Sequence, residues 1–210
     1  MSAEPTVVVL DYGSGNLRSA ERALRRAGAE VSVSADRDEA QRADGLVVPG
    51  VGAFAACIDG LLASGGDKIV ESRIADGTPL LGICVGMQVL FDSGTEHDIT
   101  AAGLGVLPGD VRRLHAPRLP HMGWNTVQSS TDSALFAGIG PDDRCYFVHS
   151  YAACDDLAQL VSSDAVVTYA HHGERFVAGV EAGPVSAVQF HPEKSGDVGA
   201  AILCNWVRTL

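Results

Sequence analysis

The residue with the surroundings most favourable to chemistry is a cysteine between two glycines. Cys84 stands in Gly82-Ile83-Cys84-Val85-Gly86, between an apolar run and the helical run Met87 to Leu90. A nucleophile on a sharp strand-to-helix turn needs small neighbours, because the turn strains and crowds the backbone. Amides at the start of a helix favour the thiolate, and the amide of Val85 can donate to an oxyanion. The pattern predicts a nucleophile elbow. The alternative is that Cys84 is only a small buried residue that packs in the core.

A histidine and a glutamate supply what such a thiol needs. His191 and Glu193 follow the apolar run Val185 to Phe190, and Pro192 between them stiffens the backbone. An imidazole can take the proton of the thiol and return it to a leaving amine, and a carboxylate can fix its tautomer. His-Pro-Glu alone is also compatible with a solvated turn. Together with the cysteine elbow it predicts a catalytic triad of Cys84, His191 and Glu193.

Two glycine loops follow predicted strands. Gly13-Ser14-Gly15 begins like a dinucleotide-binding fingerprint, but Arg18 stands where the third glycine is needed, so this function is excluded. Pro49-Gly50-Val51-Gly52 has glycines that let backbone amides turn towards a developing negative charge. We expect Val51 and Gly52 to complete an oxyanion hole with Val85, although an ordinary tight turn is an open alternative.

The remaining cysteines and histidines have no such context. Four cysteines lack flanking glycines and are expected to pack: Cys57, Cys145, Cys154 and Cys204. His171 and His172 have no third ligand at metal spacing and are expected at a polar hairpin tip. We therefore predict no metal and no cofactor.

Buried strands and helices alternate in the first half of the chain and must place these residues. TVVVL at Thr6 to Leu10 is typical of a strand buried on both faces. Helix signals follow, with Asn16 and Asp36 as caps, Glu39 completing a capping box, and Gly28 as a terminator. The further predicted elements are strands at Glu30 to Ser34, Leu46 to Val48 and Leu80 to Ile83, and helices between Ala53 and Asp76. The order predicts a doubly wound, mostly parallel α/β sheet.

Short strands are expected to replace this alternation in the second half, as antiparallel additions. They are predicted at Leu104 to Leu107, Val111 to Leu114, Tyr146 to Tyr151, Val166 to Tyr169, Phe176 to Val180 and Val185 to Phe190. A last helix, from about Val198 to Val207, presents an apolar side to the sheet. The segment Ser93 to Thr100 is expected to be flexible.

Composition excludes several classes of function. The 210 residues are 46% hydrophobic and carry a formal net charge of -11, so we expect one domain over residues 1–210 and no binding to nucleic acid or anionic lipid. The most apolar stretch, Leu80 to Phe91, is too short to cross a membrane. Five cysteines without a CxxC pair fit a reducing compartment, and no signal-peptide core follows Met1. A cytoplasmic location is predicted.

Nearly the whole chain resembles a known family. The elbow and the His-Pro-Glu segment, in this order, resemble the class I, or triad, glutamine amidotransferases. Within that family, five segments resemble the glutaminase subunits of imidazole glycerol phosphate synthase. These are Asp11-Tyr12-Gly13-Ser14-Gly15-Asn16-Leu17, Pro49-Gly50-Val51-Gly52-Ala53-Phe54, Pro120-His121-Met122-Gly123-Trp124-Asn125, Tyr146-Phe147-Val148-His149-Ser150-Tyr151 and His191-Pro192-Glu193-Lys194-Ser195.

The resemblance implies a reaction and a set of residues. Cys84 would attack the carboxamide of L-glutamine, His191 would protonate the departing ammonia, Glu193 would orient the histidine, and water would hydrolyse the thioester to L-glutamate. The positions expected to hold glutamine are Gln88, Glu96, His149, Ser150 and Tyr151.

The resemblance also implies a partner. A (β/α)₈-barrel cyclase subunit would form a heterodimer with the chain, receive the ammonia, and make imidazole glycerol phosphate and an aminoimidazole carboxamide ribotide in histidine biosynthesis. In the family, glutaminase activity is low until the cyclase binds its ligand, as if an amide near Val51 had to turn inward. The residues expected near the interface are Pro120, His121, Met122, Gly123, Trp124, Asn125, Tyr146 and Lys194.

Three other functions compete with this one. Another amidotransferase subunit, such as that of anthranilate synthase or of pyridoxal phosphate synthase, would share the triad, but Ser195 and the Pro120 to Asn125 segment argue against it. A stand-alone cysteine hydrolase could use the same elbow. A decayed fold could serve only as a scaffold.

The chain departs from the family pattern at Ala53, where a larger polar residue is expected. This departure affects no catalytic position.

Overall fold

The computed structural model describes residues 3–154 and 164–210. Its strands are β1 (Thr6–Leu10), β2 (Glu30–Ser34), β3 (Gly45–Gly50), β4 (Leu80–Cys84), β5 (Phe91–Glu96), β6 (Ile99–Ala102), β7 (Leu107–Arg113), β8 (His121–Thr126), β9 (Arg144–His149), β10 (Tyr151–Ala153), β11 (Val166–His172), β12 (Glu174–Ala182) and β13 (Val185–Val188). Its α-helices are α1 (Leu17–Arg26), α2 (Arg37–Arg42), α3 (Phe54–Ser64), α4 (Gly66–Ala75), α5 (Val85–Gln88) and α6 (Gly196–Val207), and a 3₁₀ turn spans Pro192–Lys194.

A seven-stranded sheet in the order β11-β12-β13-β4-β3-β1-β2 forms the centre of the molecule. The five strands from β13 to β2 run parallel, and β11 and β12 extend the sheet as antiparallel strands. The connection from β1 to β2 runs in one direction along the sheet, and those from β2 to β3 and from β3 to β4 run in the other. Because crossovers are right-handed, α1 lies on one face and α2, α3 and α4 lie on the other. This is the predicted α/β class.

Two smaller sheets complete the fold. One has the order β10-β7-β5-β6, with β5 and β7 parallel, and the other is the antiparallel pair β8-β9. The backbone amide of His191 donates to the carbonyl of Tyr146 at 3.0 Å, which joins β9 to the segment that follows β13. The carboxyl ends of β3, β4 and β13 and the end of β9 thus meet at one edge, where α/β sheets bind ligands.

The first-half strands and helix ends agree with the sequence in most places. β1 and β2 have the predicted bounds, and Gly28 has a φ of 99° just after α1. Asn16 holds the predicted N-cap position but forms no side-chain cap hydrogen bond. Asp36 does cap α2, accepting from the amide of Glu39 at 2.8 Å, while its own amide donates to Ser34 instead of the glutamate. The capping box is therefore half formed.

Several second-half predictions are wrong. No strand forms at Leu104 to Val106, because the amides of Leu104 and Val106 donate to the carbonyls of Val89 and Leu90, just after α5. The strand begins only at Leu107. The run Tyr146 to Tyr151 is interrupted at Ser150. β13 ends at Val188 and pairs parallel with β4 as well as antiparallel with β12. No strand was predicted at Ser93 to Thr100, where the β5-β6 hairpin forms.

A buried arginine joins the elements on one side of the sheet. The side chain of Arg73, in α4, is fully buried and donates four hydrogen bonds of 2.7–3.0 Å to backbone carbonyls. Two of these carbonyls, those of Ala43 and Asp44, lie between α2 and β3, a third is that of Ala40 in α2, and the fourth is that of Pro79 before β4. Burial lowers the pKa of Arg73, and the carboxylates of Asp44 and Asp76 oppose the change.

None of the helices formed by the described residues has the length and apolar character needed to span a bilayer.

Candidate active site

The elbow at Cys84 is a strained turn pressed against β3. Cys84 has φ 57° and ψ -114°, a conformation that non-glycine residues rarely adopt. A Cβ on Gly86 would overlap the carbonyl oxygen of Val48, and one on Gly50 would overlap the amide of Gly86. These glycines are thus required by the contact between the two backbones. The helix after the cysteine has only four residues, so its dipole favours a thiolate less than a longer helix would.

His191 lies between the cysteine and a glutamate. Its Nδ1 is 2.8 Å from Oε1 of Glu193, and both side chains are at most 4% exposed. Burial by itself lowers the pKa of His191, but hydrogen bonds to Cys84 and Glu193, with their charges, outweigh it and raise the pKa to about 9. The second oxygen of Glu193 has no hydrogen-bond partner among the described residues. The sequence-predicted triad is therefore brought together, with an imidazole that readily holds a proton.

Ser195 fixes the segment that carries this histidine. Its buried hydroxyl donates to the carbonyl of His191 at 2.7 Å and accepts from the amide of Tyr146 at 2.9 Å. One hydroxyl thus holds the His-Pro-Glu turn against β9. The sequence identified Ser195 only through the family resemblance, because a lone serine after a turn carries no signal of this role.

A cavity of about 240 Å³ opens beside Cys84. All the residues that the sequence predicted for the oxyanion hole and for glutamine line it, together with the triad cysteine and histidine. The lining residues are Val51, Gly52, Cys84, Val85, Gln88, Glu96, Val148, His149, Ser150, Tyr151, His191 and Lys194. Their placement agrees with the predicted roles, and the roles themselves stay predictions. Val148 was not predicted.

Two glutamine side chains link the cavity wall to the nucleophile. Nε2 of Gln88 donates to the carbonyl of Tyr151 at 2.8 Å and to Oε1 of Gln189 at 2.9 Å. Nε2 of Gln189 lies 3.8 Å from Sγ of Cys84. Gln189 is 1% exposed and was missed, because nothing in the sequence around it distinguishes it from a residue that only packs.

The loop predicted to donate to an oxyanion lines the cavity, but the amide of Val51 is bound to Ser14. The amide of Val51 donates to the hydroxyl of Ser14 at 3.2 Å, and this hydroxyl donates to the carbonyl of Val51 at 2.9 Å. The thiol of Cys57 donates to the same carbonyl of Val51 at 3.4 Å. The hydroxyl of Tyr12 donates to the carbonyl of Pro49. In this structure the amide of Val51 is therefore engaged by Ser14 and has not turned inward, and its role as an oxyanion donor stays a prediction. Gly52 has a φ of 88°, a conformation that glycine adopts without strain.

A chain of side-chain hydrogen bonds runs from β8 to the cavity wall. Nδ2 of Asn125 is 3.3 Å from Nε2 of His121, whose Nδ1 is 2.9 Å from Nε2 of His149, whose Nδ1 is 3.0 Å from the carbonyl of Tyr151. Burial, chiefly, lowers the pKa of His121 to about 4 and that of His149 to about 3, so both rings are neutral at physiological pH. A carbonyl only accepts, so each ring carries its proton on Nδ1 and the chain donates towards Tyr151.

The residues predicted near a partner divide between two faces of β8. Met122 is 63% exposed and Trp124 is 53% exposed, and the ring of Trp124 packs edge-on against that of Tyr146 at 5.8 Å between centroids. His121 is buried beneath the strand, so its side chain is not on this exposed face, and its place near a partner stays a prediction. Pro120 and Lys194 are exposed, whereas Gly123, Asn125 and Tyr146 are half-buried.

In the part of the chain that the structure describes, no group of three His, Cys, Asp or Glu residues could hold a metal ion.

Comparison with known proteins identifies the family. A family model described as "Glutamine amidotransferase class-I" matches residues 8–209. The chain is 59% identical to imidazole glycerol phosphate synthase subunit HisH of Mycolicibacterium paratuberculosis over 98% of each chain, and 57% identical to that of Thermobifida fusca over 99% of this chain and 100% of the relative. A solved glutamine amidotransferase has a TM-score of 0.71 at 23% identity, covering 91% of this chain and 93% of its own. The PurLQS structure of Thermotoga maritima has a TM-score of 0.71 at 20% identity, covering 98% and 99%. With the triad assembled at the carboxyl edge of the sheet, the chain belongs to the class I glutamine amidotransferase family, among the subunits HisH of imidazole glycerol phosphate synthase.

Proposed function

We propose that the chain is the glutaminase subunit of imidazole glycerol phosphate synthase and that Cys84, His191 and Glu193 perform the hydrolysis of L-glutamine. The observation that carries the proposal is the pairing of a strained, cavity-lining cysteine with an imidazole whose other nitrogen is bound to a buried carboxylate. Since Nδ1 of His191 faces Glu193, the Nε2 atom is left to exchange the proton with the thiol.

The first half of the reaction forms a thioester. Sγ of Cys84 bonds to the carboxamide carbon as the C=O π pair moves onto oxygen, and amides at Val85 and at the loop of Val51 and Gly52 stabilise this oxyanion. The electron pair then returns, the C–N bond breaks, and the nitrogen takes the proton held by His191 and leaves as ammonia.

The second half regenerates the enzyme. Water gives a proton to His191 as its oxygen bonds to the thioester carbon, and the C–S bond breaks to release L-glutamate and the sulfur of Cys84. Glu96 supplies a carboxylate for the substrate ammonium, while Gln88 and the wall from His149 to Tyr151 hold the rest of the amino acid. No cofactor takes part in this scheme.

The relatives' names describe a subunit, and we propose a (β/α)₈ cyclase as the partner. The exposed pair of Met122 and Trp124, next to Tyr146 and the cavity-lining Lys194, is the surface that fits such a partner. Ammonia passed across this surface would yield imidazole glycerol phosphate and aminoimidazole carboxamide ribotide. We also propose that residues 1–210 act as one glutaminase domain in the cytoplasm.

Glutamate release from L-glutamine tests the assignment. The purified chain is assayed alone, with a cyclase subunit, and with that subunit and its ribotide ligand. We expect slow release alone, a marked rise in the liganded complex, and loss of at least about a thousandfold in Cys84→Ala. Cys204→Ala is the matched control, because Cys204 is a half-buried thiol outside the cavity.

The alternatives give other results. A stand-alone hydrolase would release product at a rate that ignores the partner and would cleave unrelated esters or peptides. A scaffold would show no release in any of the three mixtures. Equal activity in Cys84→Ala and Cys204→Ala would reject the triad.

A further inference from the structure

We propose that Gln189 is a further catalytic residue, a hydrogen-bond donor to the sulfur of Cys84 that is held in place by Gln88. Gln189 lies two residues before His191 and is almost fully buried. Its Nε2 is 3.8 Å from Sγ of Cys84, a separation at which an N–H group still contacts the large sulfur atom. The proposal rests on the proposed function only in taking Cys84 as the nucleophile.

The direction of the Gln189 amide follows from one backbone carbonyl. The carbonyl of Tyr151 can only accept, so the atom of Gln88 that faces it at 2.8 Å is Nε2. The second N–H of that amide faces Gln189 at 2.9 Å, which must therefore present Oε1. The NH₂ group of Gln189 is consequently turned towards Cys84. A flipped amide would place two donors face to face.

The thiolate of Cys84 has few other groups to stabilise it, so the amide of Gln189 matters. The one-turn helix after Cys84 provides little dipole, and one nitrogen of His191 is bound to Glu193, which leaves a single imidazole nitrogen for the sulfur. Hydrogen bonds to a charged form favour that form, so an amide that cannot itself ionise stabilises the thiolate at every pH. Gln189 also remains a donor when His191 gives its proton to the leaving nitrogen and becomes neutral.

The same chain gives Gln88 a defined role towards the substrate. Both N–H groups of Gln88 are occupied, and its Oε1 has no partner among the described residues. Gln88 lines the cavity and so offers an acceptor to what binds there. A carboxamide NH₂ can donate to that acceptor, whereas the carboxylate of the product glutamate is repelled by it. Gln189 thereby supports discrimination between substrate and product.

Alkylation of Cys84 by iodoacetamide measures the first effect without glutamine. The rate at Cys84 is followed by peptide mass spectrometry between pH 5 and pH 10, for the chain alone and for the complex with its cyclase subunit. Gln189→Met removes the donor and keeps the volume, and Gln189→Glu keeps an acceptor for Gln88 but turns a carboxylate towards the sulfur. Gln41→Met is the control, because Gln41 bonds to Ile69 in a part of the fold outside the cavity.

The midpoint pH of alkylation should rise by about one unit in Gln189→Met, the effect of losing a hydrogen bond to a charged group, and by more in Gln189→Glu. The turnover number of the complex should fall about tenfold in Gln189→Met, with a smaller change in KM, while Gln41→Met stays at wild-type values. Far-ultraviolet circular dichroism confirms folding. Gln189→Asn, which retracts the amide by one methylene, replaces the methionine variant if that one does not fold.

Two results separate this proposal from the assignment of the nucleophile. An unchanged alkylation midpoint with a raised KM would overturn it, since Gln189 would then act only by positioning Gln88. If alkylation of Cys84 in the wild-type complex left glutamine hydrolysis intact, the proposed function would fail instead.

Discussion

At the scale of single residues, the histidine of the proposed triad is favoured in its protonated form by two partners. The pKa of His191 is raised to about 9 although burial opposes the change, because Cys84 and Glu193 both favour the imidazolium. The triad could be predicted from sequence since each member sits in a short motif with a chemical reason. Ser14, Ser195 and Gln189 could not, because hydroxyl and amide groups acquire their partners only when distant segments come together.

Stability at different pH values should report on this pair. A folded-state pKa raised from 6.5 to about 9 stabilises the fold fully below about pH 6.5, and this contribution disappears as the pH rises through about 9. Glu193→Gln should therefore cost about 2 kcal/mol of unfolding free energy at pH 6 and clearly less at pH 9.5. Urea unfolding at both values measures it. Glu71→Gln, in an exposed ion pair with Lys68, is the control, and a cost independent of pH would contradict the assignment.

At the scale of elements, the loop after β3 is held by side chains from the loop after β1. Ser14 binds both the amide and the carbonyl of Val51, and Tyr12 binds the carbonyl of Pro49. The two loops are 37 residues apart, and the sequence indicated the glycines of each without their contact. In the proposed mechanism the amide of Val51 must leave Ser14, so we expect this contact, here called the latch, to oppose activity in the isolated chain.

Removal of the latch should therefore activate the chain when no partner is present. Ser14→Ala deletes, among others, the hydrogen bond that holds the amide of Val51, worth about 1 kcal/mol. Partner-free glutamate release should therefore rise about fivefold, and the stimulation by the liganded cyclase should shrink. Steady-state assays with and without the cyclase measure both. Ser64→Ala, in α3, should change neither rate. A partner-free rate in Ser14→Ala equal to or below the wild-type rate would reject the latch.

A second variant tests the same loop from the other side. Val51→Pro has no amide to turn, so it should abolish the stimulation by the liganded cyclase.

At the scale of the whole molecule, the parallel half of the sheet was more predictable than the additions to it. β1 and β2 are apolar or alternating runs, and their predicted bounds match the structure. The strands β5 and β6 were missed because segments such as Asp92 to Glu96 are polar and lack alternation, and they form by pairing with each other and with β7. β8 was recognised only as a motif. Pairing between distant segments, which no local pattern contains, decides these elements.

Two large apolar side chains of β8, Met122 and Trp124, are exposed, and substitution there should weaken assembly with the proposed partner. Trp124 is a large exposed ring at the centre of the proposed contact, so Trp124→Ala should raise the Kd for the cyclase about tenfold or more. Leu62→Ala is the matched control, an exposed apolar residue of α3, 56% exposed, for which no change is expected. Isothermal titration calorimetry measures both. Equal affinities for the two variants would move the contact elsewhere.

The carbonyl of Tyr151 has a consequence for the design of inhibitors. It already accepts hydrogen bonds from Gln88 and from His149, so both of its lone pairs are occupied. A glutamine analogue that carries an electrophile to Cys84 gains nothing from an added hydroxyl or amine aimed at this carbonyl. An N–H group retained beside the electrophile, where it can reach Oε1 of Gln88, and a cationic group near Glu96 are the features that medicinal chemistry should keep.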